Sequence, residues 1–500
     1  MVMTDTPVTA AMLYDLVQCP HRVTMDLFGD PAERDEPSPF MQLLWEKGHL
    51  FEKEVMSGTG EPFLDLSRYS LDEKERLTTE AMERGEPLIY SGRISADDLL
   101  GDPDLLRLKG DGYVAGDIKS GRGVEGNDED LGKPKKHYGV QVALYTDILE
   151  RKGLSARREP FIWDINGDEF IYDLDAPMGP KTPQSLWDLY QSCLAEARAI
   201  VASQTETLPA YSSTCKECHW YSACQGRLRE LDDLTLLPGL GRSNRDTMID
   251  QISTVEELSG INVEAFVQGK KTVFHRIGPP TLEKFHNRAK LVKSPDPQPY
   301  LTEPVQLPYS DLEIFFDIEV DPMRGVCYLH GFVERHEGRN DTEKYICFFT
   351  EEETEDEEQR AFAEAWQYLQ ERAHGVIYYY SKYERTIWRK LQDHYPDVCS
   401  SAEVEALFDP ARAVDLYNDV VTKKTEWPTI DHSIKTLAKH LGFRWRDTHP
   451  SGAASIEWFD RWVRTRDRAI KQRILEYNED DCRATRVLLD GIRQLDVRLG

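Results

Sequence analysis

"GDPDLLRLKGDGYVAGDIKSGRG" (residues 101–123) reads as two short strands joined by a turn at Lys109-Gly110-Asp111-Gly112. Asp117 and Lys119 are two apart, so on a strand they point to the same side. Asp104 belongs to the preceding strand, where hairpin pairing brings it alongside. Two carboxylates and a lysine suit hydrolysis of a phosphodiester. The carboxylates hold a hard cation such as Mg²⁺, and the lysine orients or neutralises near the attacked phosphate. A solvent-facing hairpin with one ion pair is the competing reading, because D-x-K is short and common by chance.

The flanking sequence shifts that balance. In "KHYGVQVALYTDIL" (136–149), Gln141 and Tyr145 are four apart and share a helical face. Upstream, "LLWEKGHLFEKEV" (43–55) places Glu52 four residues after Gly48, with His49 directly after that glycine. This order resembles the RecB-type nucleases of the PD-(D/E)XK superfamily. These carry a helix with an acidic or His ligand, then Asp, then (D/E)-x-K, then a Q-x-x-x-Y helix. The resemblance implies metal ligation by Glu52, Asp104 and Asp117, and catalytic roles for Lys119, Gln141 and Tyr145. Family members often have a ligating His four residues after the glycine. Here that position is Glu52, which is preferred over His49.

"CKECHWYSAC" (215–224) puts Cys215, Cys218 and Cys224 close together, and "YDLVQCPHRV" (14–23) supplies Cys19. Four thiolates suit either zinc or an iron–sulfur cluster, and spacing alone does not separate them. Some RecB-type nucleases staple the two ends of the domain with a [4Fe–4S] cluster, one cysteine from the N-terminus and three from the far end. The pattern C-x195-C-x2-C-x5-C is similar, so the resemblance implies a [4Fe–4S] cofactor here.

The chain has 500 residues, a net charge of −28 and nine cysteines. Length implies more than one domain. The charge excludes a generally basic nucleic-acid binder, so nucleic-acid contact falls to local basic patches or bound cations. No basic region followed by an apolar core opens the sequence, and no run of about 18 apolar residues exists. A cytoplasmic protein with no membrane contact is expected. An odd cysteine count there favours free or metal-bound thiols over disulfides.

Residues 234–293 carry nine Lys/Arg and six Asp/Glu, a local +3 (nine minus six). Two helix–turn–helix units with Gly-bearing turns resemble tandem helix-hairpin-helix modules, which contact phosphates without reading bases. Arg242, Arg245, Lys270, Lys271, Arg276, Lys284, Arg288 and Lys290 would form the phosphate side. "KSPDPQPYLTEPVQLPYS" (293–310) has five prolines and reads as an extended linker. The acidic run "EEETEDEEQR" (351–360) reads as a solvated loop and helix start.

Beyond the linker, "LEIFFDIEVDPMRGVCYLHGFV" (312–333) reads as a buried hairpin with Asp317 and Glu319 on one face. "GVIYYYSKYERTIWRKL" (375–391) is a strand running into a helix with Glu384 at the junction, and "HSIKTLAKHLGFRW" (432–445) is an amphipathic helix. "ILEYNEDDCRATRVLLDGI" (474–492) is a helix with Tyr477 and Asp481 four apart. The order resembles the DEDD exonucleases on an RNase H-like fold, which carry D-x-E, N-x-x-F-D and Y-x-x-x-D. It implies Asp317, Glu319, Glu384 and Asp481 as ligands of two metals and Tyr477 as the residue that positions water. The middle motif departs, with Glu384 for Asp and Tyr380 for Asn; Asp415 is a reserve ligand.

The expected architecture is an α/β multidomain chain. A PD-(D/E)XK restriction-endonuclease-like domain covers 1–231, a helix-hairpin-helix segment 232–292, a linker 293–310 and an RNase H-like domain 311–500. The whole resembles a microbial family of RecB-like nucleases with a C-terminal RNase H-like exonuclease domain. That implies a Mg²⁺- or Mn²⁺-dependent nuclease acting on DNA, single-stranded or with a free end. Two alternatives stay open: an RNase H-like half acting on RNA, and a nucleic-acid-binding scaffold with one or both centres inactive.

Overall fold

The computed structural model describes residues 6–125, 132–179 and 182–498, except the side chain of His49. It divides into two compact units, residues 1–227 and 228–500.

In the first unit the elements that carry the site are α1 (Ala10–Gln18), α2 (Pro39–Gly58), β1 (Leu64–Asp65), β2 (Leu88–Tyr90), β3 (Leu105–Lys109), β4 (Gly112–Ile118), α3 (Lys136–Arg151), β5 (Phe161–Trp163), β6 (Glu169–Ile171), α4 (Leu186–Val201) and α5 (Tyr221–Glu230). The six strands form one mixed sheet in the order β6-β5-β4-β3-β2-β1. β3 and β4 pair antiparallel across the expected turn, where Gly110 adopts φ +66°. β4 pairs parallel with β5, so it is central and buried along its whole length. Leu13 and Leu16 of α1, Val140 and Leu144 of α3, and Leu194 and Ala197 of α4 fill the core above the sheet. Ser185 and Asp188 cap the start of α4 reciprocally.

The second unit opens with a small helical cluster: α6 (Gly241–Met248), α7 (Val255–Gly260) and α8 (Pro279–Lys293). Leu240, Met248, Leu258, Leu282 and Phe285 form its own core. The first expected helix is only a 3-10 turn, Leu234–Leu236, because Pro238 and Gly239 follow at once. The Pro-rich stretch is extended but not a free spacer. Tyr300–Leu301 pairs with Thr425–Glu426, and Leu301, Val305 and Leu307 pack on the core behind it.

The larger part of this unit holds β7 (Leu312–Asp321), β8 (Val326–His336), β9 (Arg339–Phe349), α9 (Glu355–Glu371), β10 (Val376–Tyr379), α10 (Tyr383–His394), β11 (Ala413–Asp415), α11 (Ile434–His440), α12 (Gly452–Thr465) and α13 (Arg468–Ile492). The sheet order is β9-β8-β7-β10-β11, with β7–β8–β9 antiparallel and β10 and β11 added parallel. The acidic run becomes the first turn of α9, where Glu355 to Glu358 complement the helix dipole. α13 is capped by Asp467 and lays Ile470, Ile474, Tyr477, Asp481 and Leu488 against the sheet. Ile474 is wholly buried, and its truncation to Ala would cost about 2–5 kcal/mol.

Candidate functional site

The β3–β4 hairpin builds the first centre from its own backbone. The N–H of Asp104 donates to Asp117 Oδ1 at 3.3 Å, and the N–H of Ile118 donates to Asp104 Oδ2 at 2.8 Å. The two carboxylates are thereby held side by side, with Asp117 1% exposed. Lys119 Nζ lies 2.8 Å from Asp117 Oδ2. Burial, then the charges of Asp117 and Glu52, push Asp104 well above the usual carboxylate range, while Lys119 opposes the rise. Burial lowers Lys119, but Asp117 and Asp104 outweigh it and keep the ammonium above the ordinary lysine range.

Glu52, on α2, reaches the same pocket. After burial, its charge contributes most to lifting Tyr90 to about 12. The side chain of His49 lies outside the described residues. Gln141 Nε2 and Tyr145 OH are 3.3 Å apart, and Tyr145 OH donates to the carbonyl of Asp102 at 3.3 Å. A Cβ at Gly101 would stand 2.5 Å from the Tyr145 ring, so this glycine lets α3 close on the hairpin. Burial holds the Tyr145 hydroxyl protonated, as a clamp on the hairpin start. Gln141 Oε1 is buried with no hydrogen-bond partner among the described residues. A buried acceptor without a donor fits a site completed by water or a hydrated cation.

The second centre assembles from distant segments. Asp317 and Glu319 of β7 and Asp481 of α13 each present an oxygen, and the three oxygens lie within 4.8 Å of one another. No other such trio of ligand atoms occurs among the described residues, so the first centre's carboxylates are more widely spread. Burial first, then Asp481, pushes Glu319 up to about 8. Burial, Asp481, Glu319 and Glu384 push Asp317 well above the carboxylate range. Hard oxygen donors crowded this way fit Mg²⁺ or Mn²⁺, whose charge would relieve the repulsion.

Four residues that the motifs did not include organise this trio. Asn478 Nδ2 donates to Asp317 Oδ2 at 2.8 Å, and Tyr345 OH donates to Asn478 Oδ1 at 2.9 Å. A Cβ at Gly331, which pairs with Asp317, would stand 1.6 Å from that Oδ1, so only glycine admits the helix here. Trp445 Nε1 donates to Asp481 Oδ1 at 2.7 Å. Lys435 Nζ donates to Tyr477 OH at 2.8 Å and lies 3.4 Å from Asp481 Oδ2. Lys435 occupies the first turn of α11, where a cation opposes the helix dipole, and that is the signal that could have found it.

Glu384 is 3% exposed and lies outside the tight trio, yet its charge is felt by Asp317. Burial pushes it up to about 8, and its Oε2 has no hydrogen-bond partner among the described residues. Asp415 is otherwise engaged. Its Oδ1 accepts from the N–H groups of Asn418 (2.8 Å) and Ser381 (3.2 Å), and its Oδ2 from Asn418 Nδ2 (2.7 Å). Ser381 holds φ +107°, a strained backbone between β10 and Glu384.

Cys19, Cys215, Cys218 and Cys224 line one cavity, with Arg22, Pro209 and Trp220 among the other walls. Burial pushes the Cys218 thiol up, and Cys19 and Cys215 each add to the rise. No three of these sulfurs lie within 4.8 Å of one another. Thiolates sharing a single tetrahedral zinc stand about 3.8 Å apart, given Zn–S bonds of about 2.3 Å.

In the helical cluster, Lys270, Lys271 and Arg276 are exposed and Arg242 is half-buried. Arg245 must be withdrawn from the phosphate side. It is 1% exposed, and its guanidinium is held by Asp233 (2.7 Å) and Asp246 (2.6 Å). Arg288 is likewise buried, bound to both oxygens of Glu426. Among the described residues no helix is long and apolar enough to cross a membrane.

Residues 21–225 match the family model of the PD-(D/E)XK nuclease superfamily, and residues 314–492 match that of the RNase H superfamily. No curated protein matches the chain. The first match spans Glu52, the hairpin carboxylates, Lys119 and the Gln141–Tyr145 helix, and the second spans the Asp317–Glu319–Asp481 trio. This chain thus joins a PD-(D/E)XK nuclease-superfamily domain to an RNase H-superfamily domain.

Proposed function

We propose that the chain is a divalent-cation-dependent nuclease with two separate hydrolytic centres, acting on DNA that is single-stranded or has a free end. The observation that carries this reading is the trio of Asp317, Glu319 and Asp481, crowded within 4.8 Å, with Asp317 and Glu319 driven toward protonation unless a cation shares the site. A Mg²⁺ or Mn²⁺ held at either centre would supply charge to activate water and to offset the negative charge developing on phosphate. Glu52, Asp104 and Asp117 would hold it in the first, and Asp317, Glu319, Asp481 and Glu384 in the second.

The protein's own groups orient the reaction. In the second centre the Tyr477 oxygen accepts from Lys435 and its hydroxyl is hydrogen-bonded to Asp481, which fixes the phenol beside the trio, where it would position a water. Asn478 occupies one oxygen of Asp317, while Trp445 and Lys435 hold the two oxygens of Asp481. In the first centre Lys119 neutralises the phosphate beside Asp117, and Gln141 offers a buried acceptor to water. By resemblance to DEDD exonucleases, the second centre releases mononucleotides from a 3′ end.

Cys19, Cys215, Cys218 and Cys224 are proposed to hold a [4Fe–4S] cluster. Their shared cavity supports this. Lys270, Lys271 and Arg276 are proposed to add sequence-independent phosphate contacts. The test is cleavage of 5′- and 3′-labelled DNA and RNA by purified protein, with Mg²⁺ or Mn²⁺ and with EDTA. Metal-dependent release of nucleotides from DNA is expected. Binding without cleavage under every condition would contradict the nuclease reading and favour a scaffold.

A further inference from the structure

Three aromatic rings beside the first centre have no part in the chemistry described above. Tyr14 of α1 and His137 of α3 meet edge to face with ring centres 4.9 Å apart, and Tyr138 lies 4.6 Å from His137 and 6.1 Å from Tyr14. Two ammonium groups stand over the Tyr138 ring, Lys119 at 5.4 Å and Lys135 at 4.9 Å. Tyr14 and His137 are half-buried and Tyr138 beneath them is buried, while Lys133 and Lys136 nearby are exposed. Burial and the two ammonium groups push His137 down to about 4, so its ring is uncharged near neutral pH.

Tyr138 belongs to the first unit's core and Tyr14 packs against it, so packing accounts for the rings but not for the charges gathered around them. Lys135, Lys136 and His137 occupy the cap and first turn of α3, which has no acidic residue there. Positive charge at a helix start opposes the dipole, by about 0.3–1 kcal/mol for each exposed residue. In a chain of net charge −28, cations gathered against the local rule, interleaved with aromatic rings, suit a ligand that is anionic and planar by turns. Unpaired nucleotides are such a ligand: phosphates meet the ammonium groups, and bases stack on the rings. A duplex offers the same phosphates but hides its base faces.

We propose that Tyr14, His137 and Tyr138, with Lys119 and Lys135, form a cradle for unpaired terminal nucleotides entering the first centre. This rests on reading that centre as a nuclease and makes single-stranded nucleic acid its substrate class. Tyr14 is the selective element, because it reaches the cradle from a different helix and stacks independently of the catalytic hairpin. DNA and RNA share this chemistry, so the test carries both.

The experiment uses the full chain in EDTA, which blocks cleavage. A short oligodeoxynucleotide bearing 5-iodouracil, and its oligoribonucleotide counterpart, are irradiated with the protein and the cross-linked peptides are mapped. Cross-links at Tyr14 or His137 are expected, whereas cross-links confined to residues 228–500 would overturn the cradle. Affinity is measured in parallel with Tyr14→Leu/His137→Leu and with Tyr14→Phe. The double variant should lose about 5- to 150-fold in single-strand affinity, the equivalent of one stacked base, and no more than about twofold on a blunt duplex. Tyr14→Phe should keep wild-type affinity and serves as the folding control. Equal losses on both substrates, or none, would overturn the proposal. If wild type cleaves but the variants do not discriminate, the cradle fails and the nuclease stands. If wild type never cleaves but cross-links at Tyr14, the nuclease fails and the cradle stands.

Discussion

The two centres solve the same charge problem in opposite ways. The first packs Asp104, Asp117 and Lys119 into one hairpin, so a lysine 2.8 Å from Asp117 neutralises part of the site internally. The second draws three carboxylates from positions 317 to 481 into a 4.8 Å cluster, with Lys435 as its nearest ammonium. A hairpin fixes its ligands by local hydrogen bonds, whereas a strand–helix site must hold like charges together through tertiary packing. The second centre should therefore depend far more on its cation for stability and activity.

The largest effect should come from the crowded site. Asp481→Asn removes a ligand to which both Trp445 and Lys435 are tied, and should lower mononucleotide release by about 10³-fold or more. The other centre's products should persist. Lys119→Ala should lower the first centre's rate by about 10²–10³-fold without emptying its metal site, as isothermal titration with Mn²⁺ would check. Equal metal loss in both variants would erase the contrast.

Next comes Lys435→Met. Loss of a charged hydrogen bond to Tyr477 should slow the second centre by about 10- to 100-fold, with Lys435→Arg recovering part of it. Unchanged product release would remove Lys435 from the machinery. A pH series separates the centres more finely. Glu319 and Glu384 have folded-state values raised from 4.5 to about 8. The folded protein then holds protons that the unfolded chain releases, so metal-free stability is fullest below about 4.5 and falls as pH rises through about 8. Thermal melting in EDTA should show that fall, and Mg²⁺ should flatten it. A flat metal-free profile would mean the carboxylates are not under the inferred stress.

The smallest effect concerns the helical cluster. Neutralising Lys270, Lys271 and Arg276 together should weaken binding to unrelated DNA sequences alike and reduce the salt slope by about one unit per lost phosphate contact. An unchanged slope would leave the cluster as a spacer.

The same contrast governs what could be read in advance. The hairpin, its turn and the Asp117–Lys119 pair were legible because strand alternation is local. The Asp317–Glu319 face and the Tyr477–Asp481 pair were legible for the same reason, each lying within a single element. Their convergence came from motif order, which carries topology but not packing. Asn478, Trp445 and Lys435 were missed because each acts through a contact across the fold. Asn478 sits directly beside a residue that was singled out. Arg245 was misassigned because charge says nothing of burial, and its partner Asp233 lies twelve positions upstream. Asp415 was available in sequence but spends both oxygens capping the turn that follows β11.

The measurement that bears most directly on two independent centres is product analysis of end-labelled DNA with Lys119→Ala, Asp317→Ala and the double variant. Each single variant is predicted to retain the other centre's products, with mononucleotides surviving Lys119→Ala, and only the double variant to be silent. Loss of all cleavage in Lys119→Ala alone, on every substrate, would contradict this and leave one nuclease carrying an accessory RNase H-like domain.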